Sequence, residues 1–385
     1  MSQINVRNLS NENDDGAPDI VGVSTFSATS YFVPPVGTTA QRPQNPQEGD
    51  LRFNTDTASL EYFRGNHIGW EQIEMTSPDL GGGTGSNAGL GGRMLYGGAM
   101  PTPYTNTVDY LTISTTGNSA DFGDLTATKG SHGFGSSSTR GVMMSGYASS
   151  GGTNVLEYAT FSSTGNFADF GDVSTGWKND ANAASSQTRA VLGSGQSSDS
   201  SPYYTNMMDY ITIAQTGNAV DFGDAPAAHQ SRTACASSTR GIYINNSYNT
   251  DIQYITISTT GNTSDFGNMN YAGNFACAGS NSTRGIVSCG SVNNIEYITI
   301  ATTGTSTDFG DKITGATFRE VAGTDPTRCV LAGGRGYSGG YYQTNAIQYV
   351  QIMSTGNAVD FGDLVMITAN GMEKSMGGSN SHGGL

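Results

Sequence analysis

Apolar and polar residues alternate with period two in short runs along most of this chain, as in Tyr254-Ile-Thr-Ile257. Such alternation places successive side chains on opposite faces and predicts half-buried β-strands. The run recurs six times, headed by Tyr110, Tyr158, Tyr210, Tyr254, Tyr297 and Tyr349, at steps of 48, 52, 44, 43 and 52 residues. The copies continue through a turn step, Thr-Gly-Asn in five of the six, whose residues tolerate positive φ, into Asp-Phe-Gly beginning at Asp121, Asp169, Asp221, Asp265, Asp308 and Asp360. Ahead of each tyrosine run lies another apolar strand directly after an arginine: Gly141–Met144 after Arg140, Ala190–Leu192 after Arg189, Gly241–Ile244 after Arg240, Gly285–Val287 after Arg284, and Cys329–Leu331 after Arg328. A fourth segment, rich in Ala, Ser and Gly, leads to the next Thr-Arg. No segment carries a helical period, and 54 glycines argue against long helices.

Six copies near 48 residues are too long for leucine-rich or ankyrin-type repeats and fit the four-stranded blade of a β-propeller. The expected fold is therefore all-β: a six-bladed propeller over residues 91–385, with an open β-solenoid as the competing arrangement. Residues Gly91–Gly98 match the strand after the arginine, and Met372–Leu385 match the weak fourth segment. The two ends of the repeat region would complete one shared blade, which leaves no open sheet edge. One Tyr and one Phe per blade at fixed positions are expected to pack between blades.

The first ninety residues follow another pattern. Residues 1–36 are polar and read as an extended arm for attachment. Residues 37–78 read as a small β module, with a hairpin of Leu51/Phe53 against Leu60/Tyr62 and a third strand at Gly69–Ile73. So few strands make a poor independent core, so association with copies of itself or with a partner is expected. Residues 79–90 read as a glycine-rich linker. The start lacks a basic segment followed by an apolar stretch, so no secretory signal is expected. No apolar run is long enough to span a membrane.

Charge and chemistry narrow the functions. The formal net charge is −15, and the lysines are only Lys129, Lys178, Lys312 and Lys374; an acidic surface disfavours nucleic acid and anionic membranes. Cys235, Cys277, Cys289 and Cys329 are expected to be buried free thiols. No Cys-x-x-Cys or histidine cluster suggests zinc, and His67, His132, His229 and His382 are scattered. The Asp-Phe-Gly triplets lack every other kinase element and read as structural turns. A calcium ring from Asp124, Asp172, Asp224, Asp311 and Asp363 is a weaker alternative. The repeated arginines are expected to pair with repeat aspartates as inter-blade latches; lining a channel to hold an anion is the alternative. The glutamates (Glu61, Glu71, Glu74, Glu157, Glu296, Glu320, Glu373) do not suggest a glycosidase pair from their spacing. No catalytic residue, metal or cofactor is expected. The loops Tyr147–Asn154, Gln196–Asn206, Asn245–Asp251 and Gly334–Asn345 should share one face by repeat symmetry. Their Tyr203, Tyr204, Tyr248, Tyr337, Tyr341 and Tyr342 are candidate binding residues, since aromatic faces suit sugars.

The segment from Arg42-Pro through Glu48-Gly-Asp50-Leu-Arg-Phe-Asn-Thr-Asp56, Leu60-Glu-Tyr-Phe63 and Trp70 resembles a module of tail-fibre and other virion proteins of bacteriophages, notably those of marine cyanobacteria. The repeats are similar to kelch-like repeats of structural proteins in the same phages. Gly97-Gly98 and Gly333-Gly334 fit a kelch pattern, whereas Ser145-Gly146 and Cys289-Gly290 depart from it, and the kelch Trp is missing. The resemblance implies a non-enzymatic protein on the virion exterior, a fibre or spike. It would dock on other virion proteins through its N-terminal segment, as a homo-oligomer such as a trimer, and display the propeller to a host glycan or protein. A capsid or baseplate decoration protein without a host ligand is the alternative.

Overall fold

A computed structural model describes residues 34–56, 59–72, 92–99, 104–174, 176–197, 203–228, 233–244, 249–272, 275–337, 341–365 and 375–385. Most of the expected arm and all of the linker lie outside them, as do Tyr248, His229, Lys374, Glu74 and Glu373; the side chains of Tyr337 and Tyr341 are likewise not described. By its contacts the chain divides into residues Met1–Ser77 and Pro78–Leu385.

The described residues of the first unit form one sheet, ordered Val36–Gly37, Leu51–Asn54, Ser59–Phe63, Trp70–Gln72. One face of it holds a polar cluster. Glu61, fully buried, takes Nε and an Nη of Arg42 at 3.1 and 2.5 Å, Asn54 Nδ2 at 3.0 Å, and Arg52 at 3.4 Å. Both guanidinium groups lie over Trp70, at 5.9 and 6.0 Å from its ring. A buried carboxylate needs this much compensation, which explains why the motif spaces Arg42, Arg52, Asn54, Glu61 and Trp70 as it does. On the other face, Leu51 and Phe53 pair with Tyr62 and Leu60, and Leu51 and Val36 are exposed.

The second unit is all-β and propeller-like. Among the described residues six antiparallel sheets of four strands share one order. Sheet I is Met376–Ser379, Arg93–Ala99, Thr105–Thr112, Ala120–Asp124, and sheet II is Gly133–Ser136, Arg140–Met144, Val155–Thr160, Ala168–Asp172. Sheet III is Ala183–Ser185, Arg189–Leu192, Met207–Thr212, Val220–Asp224; sheet IV is Thr233–Ala236, Arg240–Ile244, Asp251–Thr256, Ser264–Asn268. Sheet V is Cys277–Ser280, Arg284–Ser288, Asn294–Thr299, Thr307–Asp311, and sheet VI is Val321–Thr324, Arg328–Ala332, Ala346–Gln351, Val359–Asp363. In each sheet the first strand named is the inner one. These inner strands are the weakly patterned fourth segments, which belong structurally to the sheet that follows them. Met376–Ser379 pairs with Arg93–Ala99, so the two ends of the repeat region share sheet I.

The core consists of six apolar clusters, one between each pair of consecutive sheets. Phe122, Leu95 and Val108 of sheet I meet Phe134 and Met143 of sheet II, and Met94 and Leu111 of sheet I meet Val330 and Phe361 of sheet VI. The inner strands contact one another in sequence, and the sixth reaches the first again. They are built of small residues such as Gly135, Ala184, Ala234, Gly279 and Gly323, and enclose a passage of about 50 Å³. Residues 381–385 cross one end of it. His382 Nε2 lies 3.1 Å from the Ser136 carbonyl, and the Gly383 amide donates to Ser280 at 2.7 Å. A Cβ on Gly383 would fall 2.0 Å from the Asn281 carbonyl oxygen, and one on Gly384 1.8 Å from that of Ser185. Only glycine fits there.

Candidate functional site

Two repeated assemblies explain the motifs. In the first, the guanidinium of the repeated arginine lies over the tyrosine ring of its own sheet, at 4.3 Å for Arg140 on Tyr158 and Arg189 on Tyr210, 4.5 Å for Arg240 on Tyr254, 4.1 Å for Arg284 on Tyr297 and 4.8 Å for Arg328 on Tyr349. Arg93, which the sequence reading did not include, lies 4.7 Å from Tyr110. The tyrosine in turn meets the Asp-Phe-Gly phenylalanine edge-on, as Tyr158 does Phe170 at 5.9 Å. The arginine then donates to a main-chain carbonyl of the next sheet: Arg93 to Phe161, Arg140 to Ile213, Arg189 to Ile257, Arg240 to Ile300, Arg284 to Ile352 and Arg328 to Ile113. The expected Arg–Asp latch is thus corrected. The arginines do bridge sheets, but through carbonyl oxygens. Asp121, Asp169, Asp221, Asp265, Asp308 and Asp360 are exposed on the outermost strands, where a charge discourages edge-to-edge pairing.

In the second assembly, the Thr-Gly-Asn turn of one sheet clamps the Asp-Phe-Gly of the sheet before it. Gly165 donates to the Phe122 carbonyl at 2.8 Å, and Asn166 Oδ1 accepts from the Asp124 amide at 3.1 Å. Gly123, at φ 149°, lies so close to this turn that a Cβ would sit 2.4 Å from the Gly165 oxygen. The glycine is therefore required by the neighbouring sheet. The aspartates of the calcium alternative join these turns through their main-chain amides, and among the described residues no group of three or more His, Cys, Asp or Glu side chains could hold a metal.

All three described lysines are buried in ion pairs that no motif in the repeats predicts. Lys129 meets Glu157 at 2.6 Å, Lys178 meets Asp209 at 2.7 Å, and Lys312 meets Glu320 at 3.3 Å. Each Nζ also donates to a carbonyl: of Val155 for Lys129, Met207 for Lys178 and Thr317 for Lys312. Burial pulls the pKa of Lys129 and Lys178 below the ordinary value. Burial also pushes the Cys235 thiol up to about 12 and holds His132 and His382 at about 4. The four cysteines are free and buried.

The two ends of the sheets differ. At one end, every described connection from inner to second strand has three residues, as in 137–139, and every connection from third to outer strand has seven, as in 161–167. At the other end, the second-to-third connections run from five residues (289–293) through ten (145–154) and thirteen (333–345) to fourteen (193–206). Met144 pairs with Gly133, so these variable loops leave from the end where the inner strands begin. There Tyr203, Tyr204 and Tyr342 are 48, 38 and 42 % exposed. Tyr203 and Tyr204 have adjacent rings, 6.3 Å apart, on the loop that joins the second and third strands of sheet III, while Tyr342 lies on the corresponding loop of sheet VI; the candidates sit on two different loops. Tyr337 and Tyr341 lie on backbone strands of the hairpin Arg335–Tyr337 and Tyr341–Gln343. Tyr271, 43 % exposed on the connection from sheet IV to sheet V, was missed.

At the same end the inner strands open into a second cavity of about 40 Å³, lined by Ser131, Asp180, Asn182, Thr233, Phe275 and Arg319 among others. Ser131, Asp180, Phe275 and Arg319 hold φ of 54, 50, 54 and 63°. Each such non-glycine residue costs on the order of 1 kcal/mol or more and is retained only where its surroundings enforce it. They interlock here: the Asp180 amide donates to Ser131 and the Arg319 amide to Phe275, both at 2.9 Å. Sequence reasoning missed this mouth because its residue types differ from repeat to repeat.

No family model matches the chain, and no curated protein sequence does. A solved structure titled "Structure of YjhT" is similar at 11% identity and a TM-score of 0.49, over 62% of this chain and 84% of that one.

Proposed function

We propose that this chain is a virion structural protein of the fibre or spike type, in which a six-bladed, kelch-like β-propeller is displayed for recognition of a host surface. The observation that carries the reading is the asymmetry between the two ends of the sheets. One end keeps invariant connections, while the other bears loops of five to fourteen residues with exposed tyrosines. A rigid scaffold with one variable face is the usual arrangement of recognition proteins. The apolar and hydrogen-bonded contacts between sheets I and VI favour a closed ring over an open solenoid. The N-terminal unit serves as the attachment module. The exposed Val36 and Leu51, beside Phe53, Leu60 and Tyr62, favour its association with other virion proteins or with its own copies as a trimer. The net charge of −15 makes nucleic acid an unsuitable partner.

The test is competition for adsorption. Purified full-length chain should slow attachment of the particle to its host cells, and the triple variant Tyr203→Ser, Tyr204→Ser, Tyr342→Ser should not. No competition by the wild-type chain would overturn the recognition role and favour a decoration protein.

A further inference from the structure

The mouth on the loop-bearing face combines groups of distinct chemistry. The Arg319 guanidinium lies 3.9 Å from the centre of the Phe275 ring, and a stacked guanidinium keeps its N–H donors in its own plane. Arginine has five such donors, enough to receive a further acceptor beside its existing partners. Asp180 brings an acceptor and Thr233 a hydroxyl to the same cavity. Residues 381–385 cross the far end of the passage, where the Ser381 hydroxyl donates to the Thr324 carbonyl at 2.8 Å, so a ligand would enter from the mouth. The space of about 40 Å³ holds roughly three water-sized atoms, which suits a carboxylate group and not a whole sugar ring.

We propose that this mouth is an end-group receptor for an acidic sugar unit. The carboxylate enters to meet Arg319 and the Thr233 hydroxyl, while the sugar ring stays outside at the rim, its hydroxyls within reach of the half-buried Asp180 and its apolar face beside Phe275. Arginine reads carboxylates through paired hydrogen bonds. Four of the five left-handed non-glycine residues among those described, all but Ser145, line this mouth, and such strain concentrates at ligand sites. With a net charge of −15, the molecule repels anions at long range, so any preference for acid over neutral sugar reports local contacts. The inference rests on the loop-bearing face being the working surface.

The experiment titrates the full chain with glucuronate, glucose and acetate, by ligand-observed NMR. The expected result is saturable glucuronate binding at millimolar concentration, with glucose and acetate each weaker by roughly tenfold or more. Arg319→Lys should weaken glucuronate by roughly tenfold at unchanged melting temperature, and Asp180→Asn should weaken glucuronate and glucose alike. Absence of saturable glucuronate binding by the wild-type chain overturns the proposal, as does unchanged binding in Arg319→Lys. Equal binding of acetate overturns the sugar assignment. Failure here with intact adsorption competition sinks this inference alone; glucuronate binding without competition sinks the recognition role alone.

Discussion

The amide of Gly117 donates to the carbonyl of Phe361 at 2.8 Å and so joins the first sheet to the last. Asn118 Oδ1 adds a bond from the Asp363 amide at 3.0 Å. Between them lies Gly362, where a Cβ would fall 2.4 Å from the Gly117 oxygen. Gly362→Ala should therefore cost about 2–4 kcal/mol, from steric overlap with backbone that has nowhere to move and from a φ of 151°. Urea unfolding checks this. An unchanged midpoint would mean that the junction contributes nothing to stability.

The arginines carry a second prediction. Arg240 lies 4.5 Å from the Tyr254 ring and donates to Ile300 and Ala301 of the next sheet. Arg240→Ala should lower stability by about 1–3 kcal/mol, from the lost cation–π contact and charge-assisted bonds. Asp265→Asn, at an exposed edge, should stay within about 0.5 kcal/mol of wild type. Equal losses in the two variants would restore the Arg–Asp latch.

The difference between those two residues shows what the sequence could disclose. Period-two runs, turns and the shared sheet I were legible because each depends on local chemistry repeated six times. The partner of Arg240 was not, because a carbonyl oxygen has no sequence signature, and a nearby repeated aspartate offered the simpler pairing. The clamp explains why glycine follows Asp-Phe, yet that reason lies in the adjoining sheet. Lys129, Lys178 and Lys312 sit at different distances after their Asp-Phe-Gly triplets, so their shared burial does not appear in the repeat register. Arg319 and Asp180 were invisible for the same reason: repeats average away the positions where they differ.

The buried ion pairs give a third prediction. Lys129→Met leaves the fully buried Glu157 without its cation and should cost about 3–5 kcal/mol. Adding Glu157→Gln should recover most of that loss, because the uncompensated charge is gone. Thermal melting of the single and double variants decides it; no recovery would assign the cost to lost lysine packing.

Acid should loosen the molecule through His132. Burial, with Lys129 nearby, depresses its pKa from 6.5 to about 4, and Nε2 lies 3.0 Å from the Gly97 carbonyl. The unfolded chain then binds the proton more readily, so stability is full above pH 6.5 and is lost as pH falls towards about 4. The loss amounts to about 3 kcal/mol. His132→Gln should flatten that part of the stability–pH profile. An unaltered slope in urea titrations across this range would remove His132 from the account.

On the proposed function, this chain stands on the outside of a virus particle and presents its variable face to a host. Imaging intact particles labelled with an antibody against residues 91–385 tests it most directly. The expected result is label at the tail or at fibre tips. Particles without label would contradict the claim, and label spread evenly over the head shell would replace host recognition with decoration.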